Sequence, residues 1–169
     1  MCAFFWLPPV AAASATIDTA IKKDENKQIR ITADKMIAAL DVEEIEFIGN
    51  VRATQANTVI TADRLKIIYA PDSAGSQNRA PTPDAIEKII AQGHVKIIYD
   101  DITAETDMAE YDMKSAVLVL TGESSTVTQG GHSISGTKFT LYRSAGKIIV
   151  DSSGKSRVKA VFDASETGN

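Results

Sequence analysis

At 169 residues, with a formal net charge of −4 and Cys2 as its single cysteine, the chain has the size of one domain and carries neither a disulfide framework nor a thiol-rich metal site. Acidic and basic residues are interspersed, which excludes a basic face for nucleic acid and a polybasic anchor for a membrane surface. The apolar content rests on Ile, Val, Leu and Ala rather than on aromatics, a bias toward strands, because β-branched side chains suit a pleated surface.

The chain opens on an apolar stretch, AFFWLPPVAAA over residues 3–13, followed by the small-residue pattern Ala13-Ser14-Ala15. It is too short to span a bilayer, which needs about 20 apolar residues. No Lys or Arg precedes it, so either the true start lies upstream or the stretch is a hydrophobic end with no export role. The cleavage-site pattern favours a truncated signal peptide over residues 1–15. Residues 16–162 are then the expected domain, and 163–169 a short polar tail.

From Ile29 onward the body reads as strand after strand. Ile29-Arg30-Ile31-Thr32-Ala33 alternates apolar and polar, as a half-buried strand does. The same holds for Ile45-Glu46-Phe47, Val59-Ile60-Thr61-Ala62, Leu65-Lys66-Ile67, Val95-Lys96-Ile97 and Phe139-Thr140-Leu141. No stretch of the body sustains a 3.6-residue apolar stripe beyond a turn or two, so helix does not organise this chain.

Repetition is the stronger signal. Gly49-Asn50-Val51 and Gly93-His94-Val95 form one half of a unit. The other half is a polar–apolar step ending in a charged corner: Ile31-Thr32-Ala33-Asp34-Lys35-Met36, Ile60-Thr61-Ala62-Asp63-Arg64-Leu65, Ile102-Thr103-Ala104-Glu105 and Ile134-Ser135-Gly136-Thr137-Lys138-Phe139. Thr32 and Thr61 lie about 29 residues apart, a spacing typical of stacked β units. A Pro-, Ser- and Asn-containing insert, Pro71 to Asp84, lengthens the next interval.

The corner has a physical meaning. Ala33 to Met36, Ala62 to Leu65 and Gly136 to Phe139 are steps of three, where strict alternation would place the two side chains on opposite faces. A bend or bulge at Asp34-Lys35 and its equivalents lets both arms aim apolar side chains at one interior. The expected fold is therefore all-β: a flattened β-roll or β-jellyroll of repeated antiparallel strand pairs with open ends. Its terminal strands expose unpaired backbone groups, and no capping helix is evident, which predicts head-to-tail self-association.

Catalytic chemistry finds no foothold. His94 and His132 each sit beside a Gly at a strand edge or turn, without a second ligand at metal-binding spacing. Asp100-Asp101 lacks the Gly-spaced pattern of a calcium loop. Ser124-Ser125 and Ser152-Ser153 lack a nucleophile elbow, and Gly130-Gly131 reads as a hairpin turn rather than a phosphate loop. Trp6 falls in the leader-like segment. Neither an enzymatic activity, a metal nor a cofactor is expected.

One resemblance gathers these features. ITADKM, FIGNV, TQANTVITADRLKIIY, IIAQGHVKI, ITAE, AEYD, LVLTG and ISGTKF, in this order between residues 29 and 150, resemble the OstA-like family of lipopolysaccharide-transport proteins. The resemblance implies a β-jellyroll in the periplasm that holds the lipid A acyl chains of lipopolysaccharide in an apolar groove. It implies stacking into a bridge between an inner-membrane transporter complex and an outer-membrane translocon, with no cofactor and no catalytic residue. On the family's pattern Ile29 and Ile31 occupy the opening strand, and Leu40, Phe47 and Tyr111 lie on inward-facing lipid-binding positions. Alternation alone adds Leu65, Ile67, Ile97, Phe139 and Leu141. Two other readings stay open: a periplasmic domain of another component of the same pathway, and a stacking β-scaffold with a filled, ligand-free core. A β-helical polysaccharide enzyme would need a catalytic cluster that the sequence does not offer.

Overall fold

The computed structural model describes residues 28–39, 43–70, 85–154 and 156–163. The leader-like segment, the Pro71–Asp84 insert, Leu40 and the tail beyond Asp163 lie outside them. The described chain forms ten strands: β1 (Arg30–Thr32), β2 (Lys35–Ala39), β3 (Glu44–Gln55), β4 (Thr58–Tyr69), β5 (Ile86–Tyr99), β6 (Ile102–Asp112), β7 (Val117–Gln129), β8 (His132–Tyr142), β9 (Lys147–Asp151) and β10 (Lys159–Val161). The remaining regular element is a 3-10 turn, Arg143–Ala145.

All strands join one antiparallel sheet in chain order, β1 and β2 both pairing with β3, and β9 and β10 both pairing with β8. Each long strand bends once, so the sheet has two arms. The first arm contains β1 and β10 and ends at the turns Ala56-Asn57, Asp100-Asp101 and Gly130-Gly131. The second contains β2 and β9 and ends at residues 113–116 and the 3-10 turn. The sheet does not close, which agrees with the all-β, open-ended expectation.

The bend is written into the register. Pairing shifts between Ile48 and Val51 on β3, Gln92 and Val95 on β5, and Thr121 and Ser125 on β7. At the β3 bend Gly49 and Asn50 are consecutive left-handed residues, φ +79 and +47, and Gly93 and His94 repeat this on β5 at +75 and +46. Two such residues in mid-strand re-aim the chain as a bulge does. The bend expected at Asp34-Lys35 is present, but the partner strand carries the larger share of the unpaired residues. The Asp34 N–H donates to the Gly49 carbonyl at 2.9 Å, and the Asn50 side chain donates to the Asp34 carboxylate at 2.8 Å. A β-carbon on Gly49 would overlap Asp34 Oδ2, so glycine is required there for space as well as for φ.

Packing follows from the bend. Val51, Ala53, Ala62, Leu65, Ala91, Val95, Ala104, Ala109, Leu120 and Phe139 form one buried cluster drawn from both arms. One polar pair is embedded in this core. The hydroxyls of Thr106 and Ser125 lie 2.7 Å apart, and Thr106 Oγ1 also donates to the Thr121 carbonyl at 3.0 Å. The opposite face carries cross-strand ion pairs, Lys66–Glu44 at 2.8 Å, Lys88–Glu110 at 2.7 Å and Lys96–Glu105 at 3.0 Å, the pattern of a solvated sheet surface.

Candidate functional site

Register aligns the inward side chains into rows that run from one sheet edge to the other. The first arm contributes Ile31, Ala53, Ile60, Ile97, Ala104, Val127, Ile134 and Ala160. In the second arm one row is Met36, Phe47, Leu65, Ala91, Ala109, Leu120, Phe139 and Val150. A further row, more distant from the bend, is Ala38, Ile45, Ile67, Ile89, Tyr111, Leu118, Leu141 and Ile148. Every member of these rows is apolar or, at Tyr111, aromatic with a polar tip.

Burial divides the face into a floor and walls. Near the bend the side chains are sealed: Leu65 and Val51 are 2% exposed, and Val95, Leu120 and Phe139 are 1% exposed. Around it Ile31, Phe47, Ile60, Ile89, Ile97, Leu118, Val127, Ile134 and Leu141 pack against the cluster yet remain only partly buried. Aliphatic walls left half open are an apolar surface that folding alone does not use up.

The residues singled out from sequence fall on both parts. Leu65 and Phe139 are buried in the floor, and Ile67 is buried as well, in the row more distant from the bend. Ile29, Ile31, Phe47, Ile97, Tyr111 and Leu141 are half-buried along the walls. Leu40 lies outside the described residues. Lys66 is on the outer face, where its ammonium is hydrogen-bonded to Glu44, which raises its pKa.

Two features escaped the sequence reading. The first is the exposure of apolar side chains at the two terminal edges: Met36 and Ile37 on β2, Ile148 on β9, Val161 on β10, and Phe162, which packs at 5.8 Å on the His132 ring. The continuous apolar run Ile148-Ile149-Val150 could have flagged part of this. The second is Arg143, whose Nη1 donates to the Tyr111 hydroxyl at 3.4 Å. It follows Leu141 by two residues, and that parity was the available signal.

Polar chemistry is sparse on the inward face and plentiful around it. Asp63 raises the pKa of His94 through a hydrogen bond at the β4–β5 bend. The Asp112 carboxyl is held below its usual range by the Ser115 N–H and hydroxyl in the β6–β7 turn. An open depression bordered by Val117, Val119, Thr140 and Tyr142 lies on the outer face, on the far side of the sheet from the apolar rows. Among the described residues no three His, Cys, Asp or Glu side chains gather as a metal-binding group. No helix of the described residues is long and apolar enough to cross a membrane.

Comparison with known proteins accords with this geometry. A sequence model described as LptA/(LptD N-terminal domain) LPS transport protein matches residues 30–147. Among solved structures the chain is similar to LptH of Pseudomonas aeruginosa, the LptA-homologous periplasmic component of the conserved lipopolysaccharide transport device. The TM-score is 0.65 at 16% identity, over 82% of this chain and 98% of that one, a likeness of fold. No curated protein matches the chain.

Proposed function

Because the chain belongs to the LptA/(LptD N-terminal domain) family of lipopolysaccharide transport proteins, we propose that it is a periplasmic carrier that holds the lipid A acyl chains of lipopolysaccharide on its inward face. The observation that carries this reading is the set of apolar rows that run from the β1/β2 edge to the β9/β10 edge, with many of their side chains only half-buried. Moving acyl chains out of water onto such walls yields about 0.8 kcal/mol per CH₂, so a few chains are enough to hold the lipid. The walls repeat one chemistry along their length, which favours passage between neighbouring positions over trapping at one.

Head-to-tail stacking completes the path between an inner-membrane transporter complex and an outer-membrane translocon. Both terminal edges offer strands paired on one side only, together with exposed apolar side chains. The path β1-β3-β4-β5-β6-β7-β8-β10 has eight positions, an even number, so a second copy added at the edge keeps the antiparallel alternation. Continuing the rows across that junction sets Met36 beside Val150, Ala38 beside Ile148 and Lys35 beside Asp151 of the next copy.

A photo-crosslinking residue at Ile31, with Lys66 as the outer-face control, tests the carrier role. Covalent capture of lipopolysaccharide at position 31 but not at 66 is the expected result. Capture at neither position, in a folded protein, would leave the ligand-free scaffold as the better reading.

A further inference from the structure

The two margins of the inward face differ in chemistry. At the first-arm margin the turn carboxylates of Asp100 and Asp101 accept hydrogen bonds from the Asn57 and Gln129 side chains. No cation pairs with either carboxylate among the described residues. The second-arm margin between β6 and β9 carries Lys114, Arg143 and Lys147, none of them in an ion pair among the described residues, against the one carboxylate of Asp112, which Ser115 engages in the β6–β7 turn.

Arg143 is the cation built into the lining. Tyr111 belongs to the inward row between Ile89 and Leu118. The guanidinium carbon of Arg143 lies 5.8 Å from the Tyr111 ring centroid, with the 3.4 Å hydrogen bond to its hydroxyl. To get there the side chain reaches from the end of β8 past β7 to β6. Its backbone is anchored as well: the Arg143 N–H donates to the Ala116 carbonyl at 3.1 Å, and the Gly146 N–H donates to the Arg143 carbonyl at 3.4 Å. A guanidinium has five N–H donors in a planar fork that fits phosphate oxygens. The contact with Tyr111 engages one donor and one face, and leaves the rest at the border where the apolar lining ends.

We propose that Arg143 binds the phosphate of an anionic glycolipid whose acyl chains lie on the inward face, with Tyr111 as its positioning residue; this rests on the carrier reading above. The lipid then lies in one sense, acyl chains toward the bend and phosphate at the second-arm margin, where Lys114 and Lys147 add to the positive field. The opposite margin, with Asp100 and Asp101, repels the same headgroup.

Binding of phosphorylated and enzymatically dephosphorylated lipid A to the full chain tests this, using wild type, Arg143→Ala and Arg143→Lys. Wild type is expected to bind the phosphorylated lipid a few-fold more tightly, the gain of a charge-assisted pair at an exposed site. Arg143→Ala should erase that ratio by weakening the phosphorylated lipid more than the dephosphorylated one, and Arg143→Lys should keep part of it. Inorganic phosphate at millimolar concentration should not displace the lipid. Displacement by inorganic phosphate would assign the site to the free anion and overturn the headgroup assignment. Equal affinity of wild type for the two lipids, or a parallel loss of both in Arg143→Ala, would overturn it too. Wild type that binds neither lipid would remove the carrier reading itself, a result distinguishable from the others.

Discussion

The carboxylate of Asp63 occupies the space that a β-carbon on Gly93 would fill, and its Oδ2 lies 2.8 Å from Nδ1 of the next residue, His94. The β1–β2 corner repeats the device with Asp34, Gly49 and Asn50, again at 2.8 Å. A third corner varies it: Asp107 lies over Gly122 and accepts from the Glu123 N–H at 2.9 Å. An aspartate clasped over a glycine is thus how this sheet turns from one arm to the other.

Gly93→Ala should therefore be destabilising by about 1–3 kcal/mol, because a side chain at φ +75 is strained and also meets the Asp63 carboxylate. Asp63→Ala in the same chain should recover part of the loss, since it removes the overlap but not the strain. Urea denaturation of the two single variants and the double variant measures the non-additivity.

The clasp at His94 should respond to pH. The hydrogen bond to Asp63, and secondarily the charges of Asp63 and Asp107, raise the folded-state pKa of His94 above the ordinary 6.5. Stabilisation from a raised pKa is complete below the unfolded value and fades as pH rises through the folded one. The urea midpoint should accordingly fall slightly as pH rises above the ordinary histidine value of about 6.5. His94→Asn, which copies the Asn50–Asp34 corner, should remove that slope. An NMR titration of the His94 ring giving a value below 6.5 would contradict the assignment.

The buried hydroxyl pair predicts an asymmetry. Ser125 is completely buried, and its partner is Thr106, which retains the Thr121 carbonyl as a second acceptor. Ser125→Ala should be nearly neutral. Thr106→Val should be destabilising by about 1–3 kcal/mol, the desolvation cost of a stranded polar group. The double variant should recover most of that loss, as thermal denaturation would register.

Charge reversal tests the junction register. Lys35→Asp and Asp151→Lys should each shorten the proposed head-to-tail assemblies, as measured by analytical ultracentrifugation, and the double reversal should restore them. Because the pair is near the surface, the expected change is at most about 1 kcal/mol per junction and weaker in high salt. Single variants that assemble like wild type would point to a different register.

Much of this was legible in the sequence. Two-residue alternation located the strands, and the three-residue step at Ala62–Leu65 and Gly136–Phe139 placed both members of each pair on the inside, where Ala62, Leu65 and Phe139 are indeed buried. What pattern alone could not reveal depends on pairing. The aspartate clasps join residues on neighbouring strands, far apart in the chain, and the Arg143–Tyr111 contact crosses an intervening strand. Nor could residue type separate buried Leu65 from half-buried Phe47 in the same row, because that difference depends on which neighbours the register supplies.

The even number of sheet positions has one more consequence. In a stack built by continuing this sheet, every copy that covers an edge presents an identical edge in its place. Such a rod contains no measure of its own length and no intrinsic reason to stop growing. Its span would be fixed from outside, by end-binding proteins that offer one of the two edges and withhold the other, and by the distance those proteins keep between two membranes.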